Sequence, residues 1–140
     1  MEQQRYTLRK GDKLKSTKAI EQLFKEGKSF SVFPFRVLYL EAPATGPKQI
    51  APLQTAFSVS KKHFKKAVDR NRIKRLLREA WRLQKSSVVN KVNSGERKNL
   101  RVFIIYTGNE LPEYDLVFEK IAAVIKRLIK ICNEATVTDT

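Results

Sequence analysis

Residues 54–83 read QTAFSVSKKHFKKAVDRNRIKRLLREAWRL, and this one stretch predicts a strand feeding a helix. Gln54 to Ser60 alternates apolar and polar residues, the period-2 pattern of a half-buried strand. From about Ala67 the period lengthens. Wound at about 100° per residue from Arg70, a helix places Asn71, Lys74, Arg75, Arg78 and Arg82 within an arc of about 140°. Ile73, Leu76, Leu77, Ala80 and Leu83 fall on the opposite side. The strand-to-helix step therefore predicts a unit in which the helix lays an apolar stripe on a sheet. Its basic side is left for something else.

Working outward, Ser16-Thr17 can cap a short first helix carrying Ile20, Leu23 and Phe24, with Gly27 as its stop. Ser29 to Leu40 alternates, with Phe33, Phe35, Val37 and Tyr39 on one face and Arg36, Leu38 and Leu40 on the other, which predicts one long strand. Pro43, Gly46, Pro47 and Pro52 punctuate a loop over residues 41–53, so the long strand is expected to pair with Gln54–Ser60 as an extended hairpin. Residues 86–99 are polar around Gly95 and read as a loop. Leu100 to Thr107, LRVFIIYT, reads as a buried strand, and Gly108 to Glu113 as a turn. A last helix capped by Asp115 places Val117, Ile121, Val124, Leu128 and Cys132 on one stripe. The order helix, strand, strand, helix, strand, helix, without repeats, predicts one α/β (α+β) domain over 1–140, with 1–11 and 133–140 fraying.

The size agrees, since 140 residues that are 41% hydrophobic suit one core. Against 14 Asp+Glu stand 29 Lys+Arg, a formal net charge of +15. A chain this positive repels itself when free and points to a polyanionic partner. The single Cys132 forms no internal disulfide, and no Cys/His cluster has zinc spacing, so no metal ligands are expected. Residues 1–11 lack the apolar core of a secretory signal, and no apolar run approaches the roughly 18 residues of a membrane span. A cytoplasmic protein is expected.

About half of the net charge lies between Lys61 and Arg82, where ten bases stand against Asp69 and Glu79. A solvated helix face normally interleaves acids with bases, and like charges at i,i+4 cost stability unless a partner compensates. The guanidinium forks of this arc suit phosphate oxygens, and the Asn71 amide can reach a base edge or a ribose hydroxyl. A DNA-reading helix-turn-helix would need a short helix just before this one, where strand and loop are predicted. A membrane-surface helix would carry exposed aromatics, and only Trp81 lies near the arc. RNA, read through backbone and 2′-hydroxyls, fits these residue types best.

The run Ala67 to Glu79, AVDRNRIKRLLRE, closely resembles the RNR signature of the bacterial ribonuclease P protein family. Phe57 to Lys62 looks like that family's strand leading into the motif, and Leu23 to Ser29 like its first helix and turn, so the similarity runs along most of the chain. The resemblance implies a two-layer sandwich with a mixed central sheet and a left-handed βαβ crossover, an uncommon hand. It implies that Lys61, Lys62, Lys66, Arg70, Asn71, Arg72, Lys74, Arg75, Arg78 and Arg82 bind a catalytic RNA subunit. It further implies that a cleft containing Ile20, Phe24 and Tyr39 receives the 5′ leader of precursor tRNA. Ile20 stands where the family often has Phe, and Phe24 and Tyr39 read equally well as core packing. Cleavage would be the work of the RNA and its Mg²⁺, with no cofactor on the protein alone, no membrane and no protein partner required.

The residues themselves offer little catalytic chemistry. Glu26/Lys28 and Glu96/Lys98 match a nuclease-like Glu-x-Lys spacing, but in turn or loop stretches without a paired Asp on a strand. His63 neighbours Lys62, Lys65 and Lys66 and reads as a loop residue meeting RNA or solvent. Cys132 reads as a small core residue and Trp81 as helix packing. No catalytic residue is assigned to the protein. The alternatives are a structural RNA-binding protein of ribosomal type, indifferent to the leader, and an autonomous metal-dependent nuclease.

Overall fold

In the computed structural model, residues 17–43, 53–89 and 98–138 are described. The predicted cap Ser16, the loop around Gly46 and Pro47, and Gly95 with Glu96 lie outside them, as do the side chains of 133–138. The elements are α1 (Thr17–Glu26), β1 (Lys28–Val32), β2 (Phe35–Pro43), β3 (Leu53–Val59), α2 (Ala67–Gln84), a single turn α3 at residues 86–89, β4 (Lys98–Tyr106) and α4 (Tyr114–Thr138). Four strands form one mixed sheet in the order β1-β2-β4-β3. β1 with β2 and β2 with β4 are antiparallel, while β3 and β4 run parallel. α2 lies in the connection between these parallel neighbours.

The long strand expected over 29–40 is two strands. The chain reverses at Phe33-Pro34, so that Val32 pairs with Phe35 and Phe30 with Val37. Proline has no N–H to give a central ladder and settles at the turn. The expected hairpin between the second and third strands is also corrected, because β4 sits between β2 and β3. Every residue of Val102–Tyr106 is apolar, and a strand with two apolar faces gains most by taking a central place with a layer on each side.

On the larger side of the sheet, Phe35 and Val37 of β2 pair with Tyr106 and Ile104 of β4, and these with Val59 and Phe57 of β3. They meet Ile73, Leu77, Ala80 and Trp81 from α2 and Val117, Ile121, Val124 and Leu128 from α4. Burying one such side chain fully contributes roughly 1.5–3 kcal/mol, so this two-helix layer is the main stabilising contact. On the reverse side α1 packs across β2 and β4, joining Ala19 and Leu23 to Leu38, with Ile20, Leu40, Ala56, Phe103 and Ile105 around them.

Local chemistry sets the ends of the elements. The Gly27 N–H donates to the Leu23 carbonyl at 2.9 Å and closes α1 where the strand ladder begins. A Cβ at Gly27 would lie 3.0 Å from the Tyr39 carbonyl oxygen and closer still to that of Leu23, so only glycine fits between helix and sheet. Tyr106 donates its phenol O–H to the Glu110 carbonyl at 2.6 Å and so braces the turn before α4. Asp115, expected as a cap, lies within the first turn of α4. The backbone of α4 is helical to Thr138.

Candidate nucleic-acid interface

Burial divides α2 much as its periodicity predicts. Ile73, Leu77, Ala80 and Trp81 are buried, while Asn71, Arg72, Arg75 and Arg78 are exposed and Lys74 is half-buried. Arg72, Arg75 and Arg78 follow at i,i+3 spacing, so their Cα atoms progress about 9 Å along the axis from first to last. Among the described residues none of these three, nor Lys74, pairs with a carboxylate. Lys61, Lys62 and Lys66 are exposed in the turn that leads from β3 into the helix, alongside exposed His63. The result is a row of unneutralised cations on a rigid helix, continued by lysines on its entering turn.

Two predicted members of the row are engaged elsewhere. Arg70 turns back toward the helix start, where its Nη1 donates to the carbonyls of Phe64 and Lys65, each at 2.8 Å. No side chain caps α2 at Lys66, and the Arg70 guanidinium instead fastens the turn to the helix. Arg82 pairs with Glu79, its Nη2 on Oε1 and its Nε donating to Oε2 at 3.2 Å. That hydrogen bond holds the Glu79 carboxyl below its ordinary range and the Arg82 guanidinium above its own. Leu83, assigned to the apolar stripe, is 38% exposed, because the stripe centres on Ile73, Leu77 and Trp81 and leaves Leu83 at its margin. Trp81 is core, its ring edge-on to Phe57 at 6.4 Å.

The second candidate region lies on the α1 side. Phe24 is 55% exposed, with its ring edge-on to Phe103 at a centroid distance of 5.3 Å. Ile20 is half-buried against the cluster that includes Leu38, Phe103 and Ile105. Next to these apolar groups, Arg101 donates from Nη1 to Gln22 Oε1 at 3.4 Å, and its Nε has no partner among the described residues. Since α1 packs on β2 and β4, the β3 face beside it, with Gln54, Ala56 and Ser58, is only partly covered. An aromatic wall beside a floor of small residues can take an unstacked base.

Tyr39 is not part of this region. It shares a sheet face with Val37 and packs against the main core, its ring 5.8 Å from Phe30. The residues of β2 that face α1 are Leu38 and Leu40. Phe103 takes the aromatic place across from Phe24, and sequence reasoning missed it. The available signal was the doubly apolar run of β4, which demands a cover on each face.

Glu26 is exposed at the end of α1 and accepts from Gln22 Nε2 at 2.9 Å. No group of three or more His, Cys, Asp or Glu among the described residues could hold a metal ion. Cys132, the single cysteine of the sequence, is half-buried against the main core. No helix among the described residues is long and apolar enough to cross a membrane.

Comparison with known proteins adds independent findings. The family model described as Ribonuclease P matches residues 8–130. The chain is similar to a Ribonuclease P protein component of Porphyromonas gingivalis, 36% identical over 128 residues, which span 91% of this chain and 88% of the relative. Among solved structures, the RNase P protein from Thermotoga maritima superposes with a TM-score of 0.62 at 25% identity, covering 82% of this chain and 96% of that one. The RNase P protein of Staphylococcus aureus has a TM-score of 0.60 at 24% identity, over 82% of this chain and 93% of the other, a likeness of fold.

Proposed function

The chain belongs to the ribonuclease P protein family, and from that premise we propose that its two surfaces divide the recognition of RNA between them. The exposed face of α2, Asn71, Arg72, Lys74, Arg75 and Arg78, with Lys61, Lys62 and Lys66 on its entering turn, grips the backbone of a catalytic RNA subunit. The α1 side, with Phe24, Phe103 and Ile20 beside the partly covered β3 face, receives the single-stranded 5′ leader of precursor tRNA. Arg70 and Arg82 serve the first surface indirectly, by holding the helix start and its outer face in place.

One observation carries the reading: cations that no carboxylate among the described residues neutralises stand in a row on a helix whose other side is locked into the core. Such an arrangement costs self-repulsion in the free protein and recovers it on a polyanion. Phosphodiester hydrolysis falls to the RNA partner and the Mg²⁺ that it binds. The chain's contribution is affinity and placement of the precursor. The setting is the cytoplasm, where a single Cys132 stays reduced.

Reconstitution with a bacterial ribonuclease P RNA at low Mg²⁺ tests this. Stimulated removal of the 5′ leader is the expected result. RNA binding without stimulation would return the chain to a purely structural RNA-binding role, and cleavage by the protein alone would make it a nuclease in its own right.

A further inference from the structure

The charge on α2 does not exhaust the basic surface of the fold. From Lys120 to Cys132 the chain carries Lys120, Lys126, Arg127 and Lys130 and no acid. Wound at about 100° per residue, the four fall within about 120° of arc, away from the buried stripe of Val117, Ile121, Val124 and Leu128. Lys126, Arg127 and Lys130 are exposed, and exposed Ala123 between them leaves room for close approach. Lys126 and Lys130 stand at i,i+4, a spacing at which like charges destabilise a helix. Among the described residues none of the four pairs with a carboxylate.

Two features make this more than a solvated face. The Arg127 guanidinium carbon lies 5.3 Å from the centroid of the Phe30 ring in β1, so the charge is held beside an aromatic. α4 packs against β1, and exposed Lys28, on the same sheet face as Phe30, adds a fifth cation from the strand. β1 and β3 are the outer strands of the sheet, so three strand spacings place this edge roughly 14 Å from the β3 edge over which α2 packs. The two basic surfaces therefore belong to opposite margins of the helical layer.

We propose that the outer face of α4, with Lys28 of β1, is a second docking surface for an RNA sugar-phosphate backbone. This rests on the reading that the protein acts on RNA, and it lets one small domain bridge two RNA segments. The segment belongs to the catalytic RNA, because α4 packs against α2 and so shares the helical layer whose other basic face is given to that RNA.

The test uses full-length protein carrying Lys126→Ala/Lys130→Ala, two side chains with no place in the core, and separately Arg127→Ala. Affinity is measured from low to high salt in two arms: protein with a bacterial ribonuclease P RNA, and the assembled holoenzyme with precursor tRNA. The expected result is a salt slope lower by about 0.7–0.9 for each phosphate that the variant no longer neutralises, in the arm with the catalytic RNA. An unchanged slope in that arm for both variants, or a loss confined to the precursor-tRNA arm, overturns the proposal. Arg72→Ala/Arg75→Ala runs alongside. If it lowers the slope and the α4 variants do not, the second surface alone fails. If it leaves the slope unchanged, the reading of α2 fails, whatever α4 does.

Discussion

Replacing Phe24 with alanine separates leader recognition from packing, because the side chain is exposed enough for the two effects to have different sizes. The ring is 55% exposed, so truncation forfeits less than half of the roughly 1.5–3 kcal/mol that a fully buried Phe contributes. The edge-on contact with Phe103 adds about 0.5–1.5 kcal/mol. Unfolding in urea should therefore show a loss of about 1–2.5 kcal/mol, and the protein stays folded. If a leader base stacks on the ring, the holoenzyme should lose roughly 1–3 kcal/mol of affinity for precursor tRNA, a factor of about 5 to 150. Affinity for mature tRNA should be unchanged. The assay is equilibrium binding across precursors of increasing leader length, and the deficit should appear only once the leader is long enough to reach the ring. Equal weakening for precursor and mature tRNA, or a deficit independent of leader length, refutes the reasoning and leaves Phe24 as a packing residue.

Arg70→Ala removes the clamp on Phe64 and Lys65 and should cost about 1.5–3 kcal/mol in urea unfolding, while lowering the salt slope of RNA binding less than Arg72→Ala does. Gly27→Ala pushes a Cβ against the Leu23 and Tyr39 carbonyl oxygens and should destabilise by about 1–3 kcal/mol; unchanged stability would show that α1 has room to move off the sheet. Glu79 has its folded pKa lowered from 4.5, chiefly by the hydrogen bond from Arg82. Its stabilising contribution is thus present above that pH and lost as pH falls through the folded value. The melting-temperature gap between the wild type and Glu79→Gln should accordingly close in acid, and a gap that persists there would separate the effect from the ion pair.

The α2 segment was legible because its helical period separates charge from apolar bulk almost completely, and the burial of Ile73, Leu77 and Ala80 follows directly, whereas Trp81 falls beside the basic arc by period and is buried all the same. Which arginines remain available was only half legible. The Glu79–Arg82 pair follows from i,i+3 spacing, whereas the acceptors of Arg70 are backbone carbonyls, which no residue type announces. The β1–β2 reversal had a signal: core positions run Phe30, Val32 and then Phe35, Val37, a break of three that strict alternation forbids. Strand order was beyond local reading, since β4 reaches its place between β2 and β3 only through pairings distant in the chain. Whether Tyr39 joins the cleft or the core was open for the same cause, because the side of the sheet that α1 covers is decided by packing rather than by pattern.

The most direct measurement is the salt dependence of binding to ribonuclease P RNA for wild type and for the triple variant Arg72→Ala/Arg75→Ala/Arg78→Ala, whose side chains are exposed and lie outside the core. If these guanidinium groups grip phosphates, the slope of log K against log salt should drop by about 2–3, with the folded protein's stability and circular dichroism unchanged. A slope equal to that of the wild type would contradict the account, since the row of cations on α2 would then be touching solvent rather than RNA.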